Sequence, residues 1–302
     1  MIVIDKPTSC FNWSLIDKST FPVQYNGLNS KEDLNLLFQE NIEPVKLKEI
    51  LRNSTRDPNQ GVRKFLWKRI LLQQVTSQHW TTIENYNQKI SILFGKNLTL
   101  EAELPNFVDM DHLVFYYLNE EGKSTVKRIL NVLATAHPDI TYAPLLLPLV
   151  SLFLHYMNEA ECYACLLAVV ESNNKITQTE IHWATTNHVF RRIAQRYTHS
   201  AYEYVLEALY KVNRDPKSCF ETIDNWIWWI FEYLPFGYIL NIVDSFLLEG
   251  QKVLYRYGIA ILDSFYKSLT PSRPLSLEKT FMKDYCSKNC ISLESLIRVS
   301  FC

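Results

Sequence analysis

A chain of 302 residues with 47% apolar and 13% aromatic content can bury a sizeable core and is too apolar for a disordered class. A formal charge of −1 excludes a global field steering it to nucleic acid or to a membrane, so any anion site must be local. Seven glycines are few for turn-rich sandwiches or phosphate loops and favour helices, while seven irregularly spaced cysteines fit reduced thiols in a cytoplasmic protein.

Residues 1–43 show weak periodicity and read as an N-terminal extension; Asn26-Gly27 is a turn signal there. From Pro44 the pattern sharpens. Leu47, Ile50, Leu51 and Ser54 predict an amphipathic helix, with Lys48 and Arg52 one turn apart on its flank. A second helix follows, with Val62, Phe65, Leu66, Arg69 and Ile70 sharing a side. Residues 73–100 read as a loose helix closed near Gly95. Leu104 to Val108 is extended and Asp109 to Asp111 a loop. Ser124 is expected to cap a strong helix over 125–134. The apolar run from Tyr142 to Met157 is shorter than the ~20 residues of a spanning helix and reads as a core helix.

Further helices are expected at 159–171, 177–195, 198–212, 276–286 and 292–300. Between them, Trp226 to Leu262 is apolar throughout and is punctuated by Pro235 and Gly250 into three helical pieces. Arg256 is the single charge between Val253 and Leu262. It reads as a buried cation, and a buried guanidinium needs an anionic partner. That partner is either a core carboxylate, Asp244 or Glu249, or a bound anion. No run alternates between hairpin turns, so the fold class is all-α. Cys162 and Cys165 have zinc-like spacing, but they lie in a small-residue helix where burial is the ordinary outcome, and no metal or cofactor is expected.

Three groups of residues carry a family resemblance. Gly61, Val62, Phe65, Leu66, Trp67, Lys68, Ile70 and Leu71 resemble the opening motif of the TBC domain, the helical module that acts on Rab-family GTPases. Val126 to Leu130 with His137 to Tyr142 resemble its middle motif. Trp226, Phe231, Leu234, Pro235, Val243, Asp244, Phe246, Glu249, Gly250 and Leu254 to Leu262 resemble its closing motif. Local wording around Leu104 and Glu249 is similar to the Skywalker-like TBC–TLDc subfamily, here without a TLDc domain. The resemblance implies a TBC domain over 44–302, built as a helical array of two packed helical subdomains. It also implies a Rab-type GTPase as partner.

Such domains supply an Arg and a Gln to the GTPase, and a supplied Arg is worth about 10³–10⁵ in rate. The family places the Arg in I-x-x-D-x-x-R, but the stretch Arg69 to His79 holds neither the Asp nor the Arg. The Gln belongs to Y-x-Q; here Tyr142 is followed by Ala143 and Pro144, whose ring has no amide to offer. Arg63, Arg69 and Arg128 remain as conceivable substitutes, although solvated or ion-paired helix positions are the ordinary expectation for each. No catalytic residue is therefore assigned.

In the same subfamily a cationic pocket takes phosphoinositide headgroups. By residue match it corresponds to Lys48, Arg52 and Arg256, with Lys252 four residues before Arg256 as an extension. Converging cations suit a phosphorylated inositol through charge-assisted hydrogen bonds. The expectation is a cytoplasmic regulator of vesicle traffic, peripheral at vesicle or plasma membranes. It would have degenerate GAP catalysis, no nucleic-acid partner and no transmembrane segment.

Overall fold

A computed structural model describes residues 11–22, 42–53, 62–72, 79–95, 102–172, 175–269, 281–287 and 292–301. The Asn26-Gly27 turn and the stretch 73–78 lie outside the described residues. Among the described residues there are helices and no strand, with one isolated antiparallel bridge between Ile16 and Leu118. The chain divides into two compact units, residues 1–180 and 181–302.

The first unit holds α1 (Pro44–Asn53), α2 (Val62–Leu72), α3 (His79–Phe94), α4 (Glu120–Ala136), α5 (Leu146–Leu154) and α6 (Glu159–Glu171). Helix α6 is its centre, touched by α2, α3, α4 and α5. It starts where Asn158 and Glu161 form a reciprocal capping box. Cys162 and Cys165 are buried on it, with the Cys165 Sγ 3.6 Å from the Met157 Sδ. Every residue of α5 is buried. Pro148 stands in its first turn, where a missing N–H costs no helical bond. Helix α4 begins five residues before the expected start. Asn119 is the cap, accepting from the Gly122 N–H at 2.9 Å, and Glu120 and Glu121 favour the positive end of the helix.

Residues 11–22 pack onto this unit, burying Phe11, Leu15, Ile16 and Phe21. The Asn12 N–H donates to the His155 carbonyl at 2.7 Å, the Asp17 N–H to Tyr117 at 2.8 Å, and the Asn119 N–H to Leu15 at 2.9 Å. Gly122 allows this approach: a Cβ there would stand 2.6 Å from the Leu15 carbonyl oxygen.

The second unit holds α7 (Glu180–Tyr197, entered one residue earlier), α8 (His199–Asn213), α9 (Pro216–Asp224) and α10 (Trp226–Trp228). A π-helical turn (Trp229–Tyr233), α11 (Phe236–Glu249), α12 (Lys252–Ser268), α13 (Phe281–Ser287) and α14 (Leu293–Phe301) complete it. Helix α12 is central, touched by α8, α11 and α14. Trp226 is clamped between Phe190 and Tyr255 at ring distances of 4.4 and 5.2 Å. Helix α9 is an addition to the sequence reading. Asp215 caps it through the Lys217 and Ser218 N–H groups, and Pro216 takes the first turn.

Candidate functional site

Helix α1 buries Leu47, Ile50 and Leu51, which leaves Lys48 and Arg52 half-buried on its flank. One turn separates them, as the i, i+4 spacing requires. On the outer side Lys46 reaches Glu49 at 3.8 Å.

Helix α12 buries Val253, Leu254 and Tyr257, and leaves Lys252 and Arg256 exposed. This corrects the sequence reading of Arg256 as a buried cation. The helical period carries Lys252, Arg256, Asp263 and Lys267 onto one stripe, although the local composition is apolar. Arg256 pairs with neither Asp244 nor Glu249 among the described residues. Its guanidinium lies 5.5 Å from the Phe301 ring centre, a cation–π contact that orients it. Glu249 instead pairs with Lys252 at 3.5 Å, its own side chain only 1% exposed. Phe301 was not singled out in the sequence, because forty-four residues separate it from Arg256. The structure thus holds Lys48 with Arg52 on one helix of the first unit, and Lys252 with Arg256 on one helix of the second.

The positions expected to face a GTPase carry different chemistry. Most of the stretch after Arg69 lies outside the described residues. In the middle motif the Thr141 and Tyr142 N–H groups both donate to the Gln178 carbonyl, at 2.9 and 3.2 Å. The Tyr142 hydroxyl donates to Asp109 at 3.0 Å; burial, then the Asp109 carboxylate, raises its pKa. Ala143 and Pro144 are buried immediately before α5. At the position of the expected amide there is a buried ring.

The three alternative arginines occupy different settings. Arg128 is held by Glu159 through bonds of 3.0 and 2.8 Å, and donates to Thr125 Oγ1 at 2.9 Å. Its pKa is raised chiefly by the Glu159 hydrogen bonds. Arg63 is buried at 1% exposure, and Arg69 is half-buried. Glu161 collects Lys64 at 2.9 Å and Lys68 at 2.7 Å. Burial pushes its pKa up, but bonds from Lys68, Lys64 and the Asn158 N–H outweigh this and hold it at about 2. Among the described residues no cluster of His, Cys, Asp and Glu could hold a metal ion. No single helix among them is long and apolar enough to cross a membrane.

Residues 60–270 match the Rab-GTPase-TBC domain family. The GTPase-activating protein skywalker of Drosophila melanogaster is 32% identical over 286 residues, covering 91% of this chain and 47% of that protein. TBC1 domain family member 24 of Xenopus laevis is 31% identical over 72% of this chain and 39% of its own. The chain thus spans about half or less of the length of these relatives. The solved TBC domain of Skywalker/TBC1D24 from Drosophila melanogaster, in complex with inositol(1,4,5)triphosphate, superposes with a TM-score of 0.76 at 31% identity. The match covers 91% of this chain and 95% of that one. The Ypt/Rab-GAP domain of Gyp1p shares the fold at a TM-score of 0.58 and 14% identity, over 90% of this chain and 98% of its own.

Proposed function

The chain belongs to the Rab-GTPase-TBC domain family, and from that premise we propose that it is a regulator of Rab-family GTPases in vesicle traffic whose GAP catalysis is degenerate. It binds phosphoinositide headgroups through Lys48, Arg52 and Arg256, with Lys252 one helical turn before Arg256. It acts in the cytoplasm, peripheral at vesicle or plasma membranes. The observation that carries the catalytic half is the buried Pro144 at the glutamine position, together with a sequence from Arg69 to His79 that lacks the arginine motif. An absent Arg forfeits about 10³–10⁵ in rate, roughly 4–7 kcal/mol of barrier. The lipid half is supported by the similarity to a TBC domain solved with inositol(1,4,5)triphosphate, and by the exposed guanidinium of Arg256.

A single-turnover GTP hydrolysis assay against a Rab panel tests the catalytic half. The expected result is little or no acceleration; robust acceleration would overturn it. Flotation with phosphoinositide-containing liposomes tests the lipid half. Arg52→Ala or Arg256→Ala should weaken binding without altering the helical circular dichroism signal, and unchanged binding would overturn the assignment. The same buried Pro144 favours a second reading, a non-catalytic adaptor that docks on a Rab or a phosphoinositide membrane without turnover. Stable Rab binding with no acceleration would select it.

A further inference from the structure

Helix α7 carries a second cationic surface. After Glu180 its sequence contains Arg191, Arg192 and Arg196 and no acidic residue. The inward face is committed to the core: Phe190 and Ala194 are buried, and Asn187 accepts from the Trp226 Nε1 at 3.0 Å. Arg191 is also committed, sharing Asp224 through contacts of 2.9 and 2.7 Å and lying against Phe220. The outward face is different. Ile181, Thr185, His188, Arg192, Gln195 and Arg196 are all exposed, and at 100° per residue they fall within an arc of about 100°. The stripe runs about 22 Å along the helix at 1.5 Å per residue. Among the described residues, neither Arg192 nor Arg196 makes an ion pair. Arg196 lies 5.5 Å from the ring centre of Tyr197. Two apolar residues mark the two ends of the helix, Ile181 at 82% exposure and Tyr197 at 69%.

We propose that the outward face of α7, through Arg192, Arg196 and His188, docks on the anionic surface of a lipid bilayer without headgroup specificity. This contact is additional to the phosphoinositide reading and does not depend on it. Charge complementarity is the argument for an anionic partner: a helix face whose two arginines make no ion pair among the described residues, on a protein of net charge −1, is a local field. The shape favours a bilayer over an acidic protein. The energetic centre of a protein interface is a well-packed, desolvated pocket that holds an anchoring side chain. Here the centre of the stripe is His188 and Arg192, and its one large apolar residue, Ile181, stands at its N-terminal end. A bilayer rewards a row of cations without demanding a pocket.

The test uses the full chain with phosphatidylcholine vesicles carrying phosphatidylserine and no phosphoinositide. The wild type should bind, and binding should weaken with added salt as the Debye length shortens. Arg192→Gln with Arg196→Gln should weaken binding about 25-fold, at roughly fivefold per cation. Both side chains are exposed, so an unchanged thermal midpoint is expected and checks that the variant is folded. Binding equal to wild type by the folded variant would overturn the proposal, as would a wild type that ignores these vesicles. Loss of Rab binding with vesicle binding intact would also overturn it, and would assign the stripe to an acidic protein face. The phosphoinositide reading fails on a separate arm, the gain on adding phosphoinositide that Arg52→Ala should remove.

Discussion

Arg128 and Glu159 show how a charge near a family motif can be spent on structure. Their side chains are 11% and 27% exposed, and the same Glu159 carboxylate accepts the buried Tyr86 hydroxyl at 2.8 Å. Arg128→Ala would leave that carboxylate with half its partners. A loss of about 3 kcal/mol is expected, read as a lower urea midpoint at unchanged m. His155 and Glu161 make the fold acid-sensitive in two windows. His155 is buried beside Phe11, Phe21 and Tyr156, and burial lowers its pKa to about 3. Its folded pKa lies below its unfolded value near 6.5, so the unfolded chain binds the proton first. Stability is therefore lost as pH falls from 6.5 towards 3. Glu161, depressed from 4.5 to about 2, adds a second loss between those values. Replacing His155 by Leu should flatten the stability profile between pH 6.5 and 4.5 and leave the lower window in place. An unchanged slope in thermal melts across that range would contradict this.

At the scale of elements, two glycines decide packing. Gly258 sits inside α12, where alanine would ordinarily gain about 1 kcal/mol of helix propensity. A Cβ there would stand 2.7 Å from Trp226 and 2.8 Å from Phe190, two stacked rings with no room to yield. Gly258→Ala is expected to destabilise by about 1–3 kcal/mol, measured by thermal unfolding. Gly122→Ala meets the Leu15 backbone instead, and should release residues 11–22, seen as faster proteolysis near Trp13. Helix starts were legible where a cap stood alone, as at Asn158. They were misplaced where two candidates competed: Ser124 and Asn119 both can cap, and the acidic pair Glu120 and Glu121 favours the earlier one. The basic face of α7 was written in the sequence, but no single motif drew attention to it.

For the whole molecule, the segment 11–22 matters to any shortened chain. A protein beginning at residue 44 would lose the buried Phe11, Leu15, Ile16 and Phe21 and uncover the rings around His155. It is expected to melt well below the full chain; equal midpoints by calorimetry would show that the extension is dispensable.

The sequence by itself determined the all-α class, the apolar runs at 142–157 and 226–262, and the membership of the family, because apolar period and motif wording are local. It also put Pro144 where the family resemblance expects an amide. Tertiary structure decided what a count of apolar neighbours could not. Arg256 lies in an apolar run and yet faces solvent, because a period of 3.6 places it on the stripe of Lys252 and Lys267. Its ring partner Phe301 and the partner Glu159 of Arg128 come from distant helices. Only a folded chain chooses between carboxylate, ring and solvent for a given cation, since desolvation depends on what packs around it rather than on what precedes it.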